Sequence, residues 1–287
     1  MTWLIFAGLT ALFDSLKDVQ SKRAFPFVDI YLVSWSLFAL MLPVLVGFWA
    51  THRIPLLGSQ FALALAIGGV LNAIAVLLFV LALSSSDLSI TVPLLTLSPL
   101  FLLVTSPWLV GEYPSVVDML GVGLILLGSY ILNLRDIRDG YLSPFRAILR
   151  ERGSRLMLIV AFIWSITANF DKIGVLNSSP EFWVVSLFSF IAVLLLPIIV
   201  FKSNQPLKQI QLHYPSLLLI GGLNGLTVFL QMQAIQIAPV TRVIAIKRMS
   251  TLLGVFWGYL FFKETGIREL MIGAAIMVLG VFVILLT

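Results

Sequence analysis

A chain of 287 residues of which 60% are hydrophobic and 11% charged, with a mean hydropathy of +1.08, is not built for water. Its formal surplus of five positive charges is spread too thinly through lipid-soluble sequence to track nucleic-acid phosphates, so no nucleic-acid partner is expected. With no cysteine there is no disulfide, thiolate catalysis or Cys-based metal site. The two histidines, His52 and His213, fall in interruptions between apolar runs, so no metal or other cofactor is expected.

A helix that crosses hydrocarbon needs about 20 mostly apolar residues. Cutting the chain at its polar and turn residues predicts ten such helices, over 2–23, 29–50, 61–84, 88–110, 115–134, 155–173, 181–201, 214–236, 239–262 and 267–287. The first segment has no basic flank or cleavage signal and reads as a retained helix. The turns are short, so neighbours form antiparallel hairpins, and only 135–154 is a longer connector. It sets Arg135, Arg138, Arg146, Arg150 and Arg152 among Tyr141, Leu142, Phe145, Ile148 and Leu149, which reads either as an amphipathic helix on the membrane surface or as a solvated basic loop. Pro43, Pro93, Pro99 and Pro197 interrupt the backbone ladder within spans and mark expected kinks.

Sliding the sequence against itself by 152 positions aligns 69–132 with 221–284 without a gap, and 13 of the 64 pairs are identical. They include Gly69/Gly221, Asn72/Asn224, Ser98/Ser250, Glu112/Glu264, Gly121/Gly273 and Gly128/Gly280, where chance matches between apolar segments would be Leu, Val and Ile. The same offset carries Asp29, Tyr31, Val33, Ser34 and Phe38 onto Glu181, Trp183, Val185, Ser186 and Phe190, and one further residue of slip brings Asp18 to Asp171. The expected fold is an all-α membrane protein of two five-helix repeats, 1–134 and 155–287, joined by the 135–154 connector. Five is an odd number, so the repeats are inverted, the plan of secondary transporters whose substrate binds near the midplane.

Several motifs resemble the drug/metabolite transporter superfamily, in its ten-helix EamA-type branch. They are Ser98-Pro99-Leu100-Phe101 running to Gly111-Glu112, and Ser250-Thr251-Leu252-Leu253 running to Phe262-Lys263-Glu264. Each precedes a glycine-bearing helix, with Gly121 and Gly128 or Gly273 and Gly280. The resemblance covers the whole chain and implies a transporter. Lys247-Arg248 looks like the Lys-Arg pair with which sugar-phosphate/phosphate exchangers of this superfamily hold phosphate. Those exchangers carry a further lysine on the fourth helix, whereas the repeat mates here are Leu95 and Thr96.

Ionisable residues inside a span are costly and mark pathways or pairings. Eight are counted: Asp14, Lys17, Asp18, Asp171, Lys172, Arg242, Lys247 and Arg248. Asp14, Lys17 and Asp18 share a helix face and read as either a self-contained ion cluster or a proton or cation relay. Lys172, near a predicted helix end, is expected to snorkel. Lys247 and Arg248 lie roughly 12 Å below the start of their helix, too deep for that. Five bases against three acids leave two positive charges for an anionic ligand, unless the bases only neutralise Asp171 and a first-helix carboxylate. Glu112 and Glu264 are expected to cap the helices that follow them. Asn72 and Asn224, with Gln231 and Gln233, add polar groups that either line a cavity or bond between helices.

These readings converge on a secondary transporter of a small anionic metabolite, an organic carboxylate or phosphorylated compound. Its expected substrate contacts are Lys247, Arg248, Arg242, Asn72, Asn224, Gln231 and Asp171, with Asp14 and Asp18 for proton or counter-substrate coupling. The alternative is an exporter of zwitterionic amino acids or amphiphilic drugs on the same fold. An intramembrane enzyme would need a nucleophile with a base, a carboxylate dyad or metal ligands, and only Asp14 and Asp18 offer anything of the kind. A non-transporting assembly factor is the remaining option. For orientation in a cell (inner) membrane, twelve bases, from Lys22 and Arg23 through the connector to Lys202, Lys208, Lys263 and Arg268, fall on one face, and Arg53 alone on the other. That asymmetry predicts outward termini and a cytoplasmic connector.

Overall fold

The computed structural model describes residues 2–49, 54–85, 92–133, 151–262 and 267–286. Most of the basic connector, with Arg53, His52, Lys263 and Glu264, lies outside them. The described residues contain no strand and form ten helical spans. These are α1 (Thr2–Ala24), α2 in two pieces, α2a (Ile30–Ala39) and α2b (Leu42–Trp49), α3 (Phe61–Ser85), a 3₁₀ turn (Val92–Leu97) leading into α4 (Ser98–Leu109), and α5 (Val116–Asn133). The second half follows with α6 (Arg152–Leu176), α7 (Pro180–Lys202), α8 (Pro206–Ile237), α9a (Val240–Lys247) and α9b (Met249–Phe262), and α10 (Ile267–Ile284). Stretches of α3, α6, α7 and α8 are each long and apolar enough to cross a membrane, and α2a, α4, α5 and α10 supply shorter apolar helices.

The expected kinks are met in part. Pro43 sits in the first turn of α2b just past the break at Leu40-Met41, Pro93 lies in the 3₁₀ turn and Pro99 in the first turn of α4. Pro197, however, lies inside an unbroken α7. Helix α8 begins eight residues earlier than the apolar run suggests and bends at His213, whose φ of −118° and ψ of 17° are not helical. Pro215, two residues on, lacks the N–H for the preceding turn and crowds its carbonyl, which accounts for the bend. The interruption at Arg248 has no proline near it.

The helices gather into two compact units, each drawing on both halves of the sequence. The first comprises residues 1–74 and 170–237, the second 75–169 and 238–287, with boundaries inside α3, inside α6 and between α8 and α9a. Where lipid surrounds the helices, close packing rather than escape from water holds them together, and small residues permit it.

In the first unit, α8 packs on α2 and α3 on α7. A Cβ at Gly221 would stand 2.8 Å from the Leu40 carbonyl carbon, and one at Gly69 would strike the Phe190 ring. The repeated Gly-x-x-Asn therefore places each half's third helix against the other half's second. Trp183, fully buried, lies on Gly174, and Ala24, Val28, Leu32, Ile199, Leu217 and Ile220 form a common core.

The second unit is held by α5 against α10. The repeat-mate glycines meet across this pair in antiparallel order, Gly121 at Gly280 and Gly128 at Gly273. Elsewhere in the unit, Leu94, Leu95, Met157, Val160 and Ala161 pack with Ala75 and Ala82.

Candidate functional site

Within the second unit, polar groups concentrate where α4, α5 and α9 meet. The sequence Ser115-x-x-Asp118 caps α5: Asp118 Oδ2 accepts from the Ser115 N–H at 2.9 Å and from its hydroxyl at 2.8 Å, while Ser115 Oγ accepts from the Asp118 N–H at 3.1 Å. The same carboxylate takes Arg242 as its ion-pair partner, with Nε 2.7 Å from Oδ1 and Nη2 donating to Oδ2 at 3.1 Å. The Asp118 side chain is 5% exposed and that of Arg242 20%. The eight-residue charge count omits Asp118, although it lies inside the fifth predicted span. The Ser-x-x-Asp spacing was the signal available for it. With it, Arg242 is matched by an acid. Glu112 also caps a helix, but not the expected one: its carboxylate accepts the Val240 N–H at 2.7 Å, at the start of α9a.

Lys247 and Arg248 sit where α9a gives way to α9b. The chain tightens there into 3₁₀-type bonds, the Arg248 N–H reaching Ala245 O at 3.1 Å and the Thr251 N–H reaching Arg248 O at 3.1 Å. Shifted by the repeat offset of 152, this segment falls on the 3₁₀ turn Val92–Leu97. Both halves thus carry a tightened turn at the same place in their fourth helix. Arg248 and Lys247 are both half-buried, and Arg248 Nη2 donates to Ser98 Oγ at the start of α4. Along α4, Ser106 Oγ lies 3.4 Å from Thr241 Oγ1, and Thr105 Oγ1 accepts from Asn169 Nδ2 at 3.0 Å. Ser98, Thr105 and Ser106 therefore make a polar stripe on an otherwise apolar helix. Apart from Ser98, sequence reasoning missed it, because single hydroxyls in an apolar run carry no pattern.

The remaining expected site residues lie in the first unit. Lys17 Nζ is 2.6 Å from Asp14 Oδ1 and 3.2 Å from Asp18 Oδ1. Asp14 is buried, whereas the Asp18 side chain is 63% exposed. Asp171 Oδ1 accepts from Trp183 Nε1 at 3.0 Å. Lys172 is buried, not snorkelling, because α6 continues to Leu176 and leaves it a full turn inside the helix. Asn72 Nδ2 turns back to Gly68 O of its own helix at 3.0 Å. Asn224 Nδ2 instead donates to Leu37 O at 2.8 Å, a carbonyl that the break in α2 deprives of its helical partner. Gln231 is buried, and Gln233 Nε2 donates to Glu181 Oε1 at 2.6 Å. Among the described residues, no cluster of His, Asp and Glu is arranged to hold a metal ion.

Ten helical spans in two repeats, with charges and broken helices inside them, define an integral membrane protein of the transporter type. The family model of EamA-like transporters matches residues 1–134 and 152–286, so the chain belongs to the EamA-like transporter family. Members of that family are transporters rather than enzymes. One solved crystal structure superposes with a TM-score of 0.82 over 100% of this chain and 99% of its own; at 16% identity the likeness is one of fold alone. No curated protein matches the sequence.

Proposed function

We propose that this transporter moves a small anionic metabolite, an organic carboxylate or a phosphorylated compound, by alternating access. The observation that carries the reading is the Lys247-Arg248 pair on a tightened turn that recurs in both halves. Interrupted helices at corresponding positions of two repeats point to the binding site of a secondary transporter. Lys247 supplies a compact charge and Arg248 a planar fork suited to a carboxylate or phosphate. Arg242, about 9 Å nearer the start of the helix by its six-residue spacing, is engaged by Asp118 and holds α9a to α5.

A thermal-shift screen of the detergent-solubilised protein against phosphorylated, carboxylic and zwitterionic metabolites tests the class, since a ligand that binds the folded state raises its melting temperature. Arg248→Gln is expected to weaken anion binding by about tenfold to a hundredfold, from roughly 1.5–3 kcal/mol for a charge-assisted contact. Arg248→Lys should rescue it in part. Ser98→Ala, which removes only the neutral partner, should cost no more than about tenfold. Unchanged anion affinity in Arg248→Gln would refute the assignment, and hits confined to zwitterions or amphiphiles would favour the alternative exporter.

In the same reading the Asp14–Lys17–Asp18 cluster couples transport to protons or to a counter-substrate. The transporter sits in the cell (inner) membrane with both termini outside. A single cysteine introduced near the C-terminus of this cysteine-free protein should react with an impermeant maleimide in intact cells; protection there would reverse the orientation.

A further inference from the structure

Away from all of these residues, a groove of about 640 Å³ opens in the first unit between α2, the end of α7 and the first turns of α8. Its floor and walls are Trp35, Leu196, Ile199, Leu207 and Ile210, and its polar contributors are Gln205 and Lys208. The bend at His213 separates the α8 residues that line it from the straight remainder of that helix. The groove's rim is apolar and outward-facing, with Leu196 47%, Val200 62% and Leu207 75% exposed. On a membrane-spanning chain such a rim faces hydrocarbon rather than water.

The polar end of the groove is one-sided in charge. Lys202 ends α7, Lys208 lies in the first turn of α8, and both are exposed; the last turn of α1, whose Ala24 shares the core with Ile199 and Leu217, adds Lys22 and Arg23. No Asp or Glu occurs from 182 to 263. Asp29, the acid that the described residues place beside these bases, is already engaged, its carboxylate accepting from the Leu32 N–H, Ser203 Oγ and Gln209 Nε2. Among the described residues, neither Lys202 nor Lys208 pairs with a carboxylate. Apolar walls that open toward lipid, with two such lysines at the helix ends, suit a molecule with a hydrocarbon chain and an anionic head. The volume falls in the range of small-molecule pockets.

We propose that this groove binds an anionic phospholipid, with an acyl chain laid against Trp35, Ile199 and Leu207 and the headgroup phosphate held by Lys208 and Lys202. A transported solute would need an aqueous approach, which lipid-facing walls do not provide. A basic site at helix ends on one side of the membrane is also where anionic lipids gather.

Trp35 supplies the probe. In phosphatidylcholine vesicles, brominated-chain phosphatidylglycerol should quench the fluorescence of the full-length protein more than the same fraction of brominated phosphatidylcholine. The excess should vanish in Trp35→Phe, and the preference should fall roughly fivefold for each of Lys202→Gln and Lys208→Gln. Native mass spectrometry gives a second readout, should Trp35→Phe not fold: wild type should keep one phosphatidylglycerol in mild detergent and the double lysine variant none. Equal quenching by the two lipids, an excess that survives the double lysine substitution, or an excess abolished by inorganic phosphate would each overturn the proposal.

Discussion

Gly128→Ala should separate α5 from α10. The added Cβ would stand 2.6 Å from Gly273 O, 2.5 Å from Met277 Cγ and 2.8 Å from Met277 N. The Met277 side chain can swing aside, but the carbonyl and amide belong to the facing helix and cannot. Restoring an ordinary contact moves the helices apart by roughly 0.5–1 Å, which forfeits about a quarter to a half of the dispersion energy at contacts along the seam. Overpacking of this kind costs about 1–3 kcal/mol, partly offset by up to ~1 kcal/mol from replacing a helical glycine. Gly123 is the internal control: it lies on the same helix, and a Cβ there meets nothing within 4 Å. Gly123→Ala should therefore be neutral or stabilising. Reversible unfolding in bicelles would measure both, and the two variants should differ by about 2 kcal/mol. Gly280→Ala, whose Cβ would stand 2.7 Å from Gly121 O, should behave like Gly128→Ala. Combining it with Gly121→Ala should cost less than the sum, since both act on one crossing. Equal stability of Gly123→Ala and Gly128→Ala would refute the account of the repeated glycines.

Breaking the Arg242–Asp118 pair from either side should destabilise the protein by about 3 kcal/mol, because an unpaired charge is left largely buried, while Asp118→Asn with Arg242→Gln should recover most of the loss; a double variant no better than the singles would show that the residues act separately. If the first-helix cluster relays protons, Asp14→Asn should abolish accumulation driven by a pH gradient in proteoliposomes and leave substrate counterflow intact, and equal loss of both activities would mark the cluster as structural. Asp18→Asn, at an exposed carboxylate, should cost less than about 1 kcal/mol in stability, measurable in the same unfolding assay. Asn224→Leu should destabilise by about 1–3 kcal/mol, since the Leu37 carbonyl loses its partner inside the protein, while Asn72→Leu, which leaves only a same-helix carbonyl, should cost less.

The number of helices, their approximate spans and the internal repeat are all legible in the amino-acid sequence. Each is local: an apolar run of spanning length, a turn residue at its end, or a glycine, asparagine or glutamate returning after 152 positions. The cluster of Asp14, Lys17 and Asp18 was legible for the same reason, because three- and four-residue spacings on one helix determine their contact. Partners from distant segments were not. Asp118 and Arg242 are 124 positions apart, and nothing in either neighbourhood names the other. Glu112 looked like a cap for the helix after it, yet it caps α9, whose first amide is brought to it by packing. Asn72 and Asn224 are repeat mates with the same local motif, but only α8 lies beside a broken second helix with a carbonyl to satisfy. Periodicity shows that a helix has a polar or small face and cannot say which helix will meet it. That choice was made by the tertiary structure, through close approach at glycines and the need of each buried polar group for a partner.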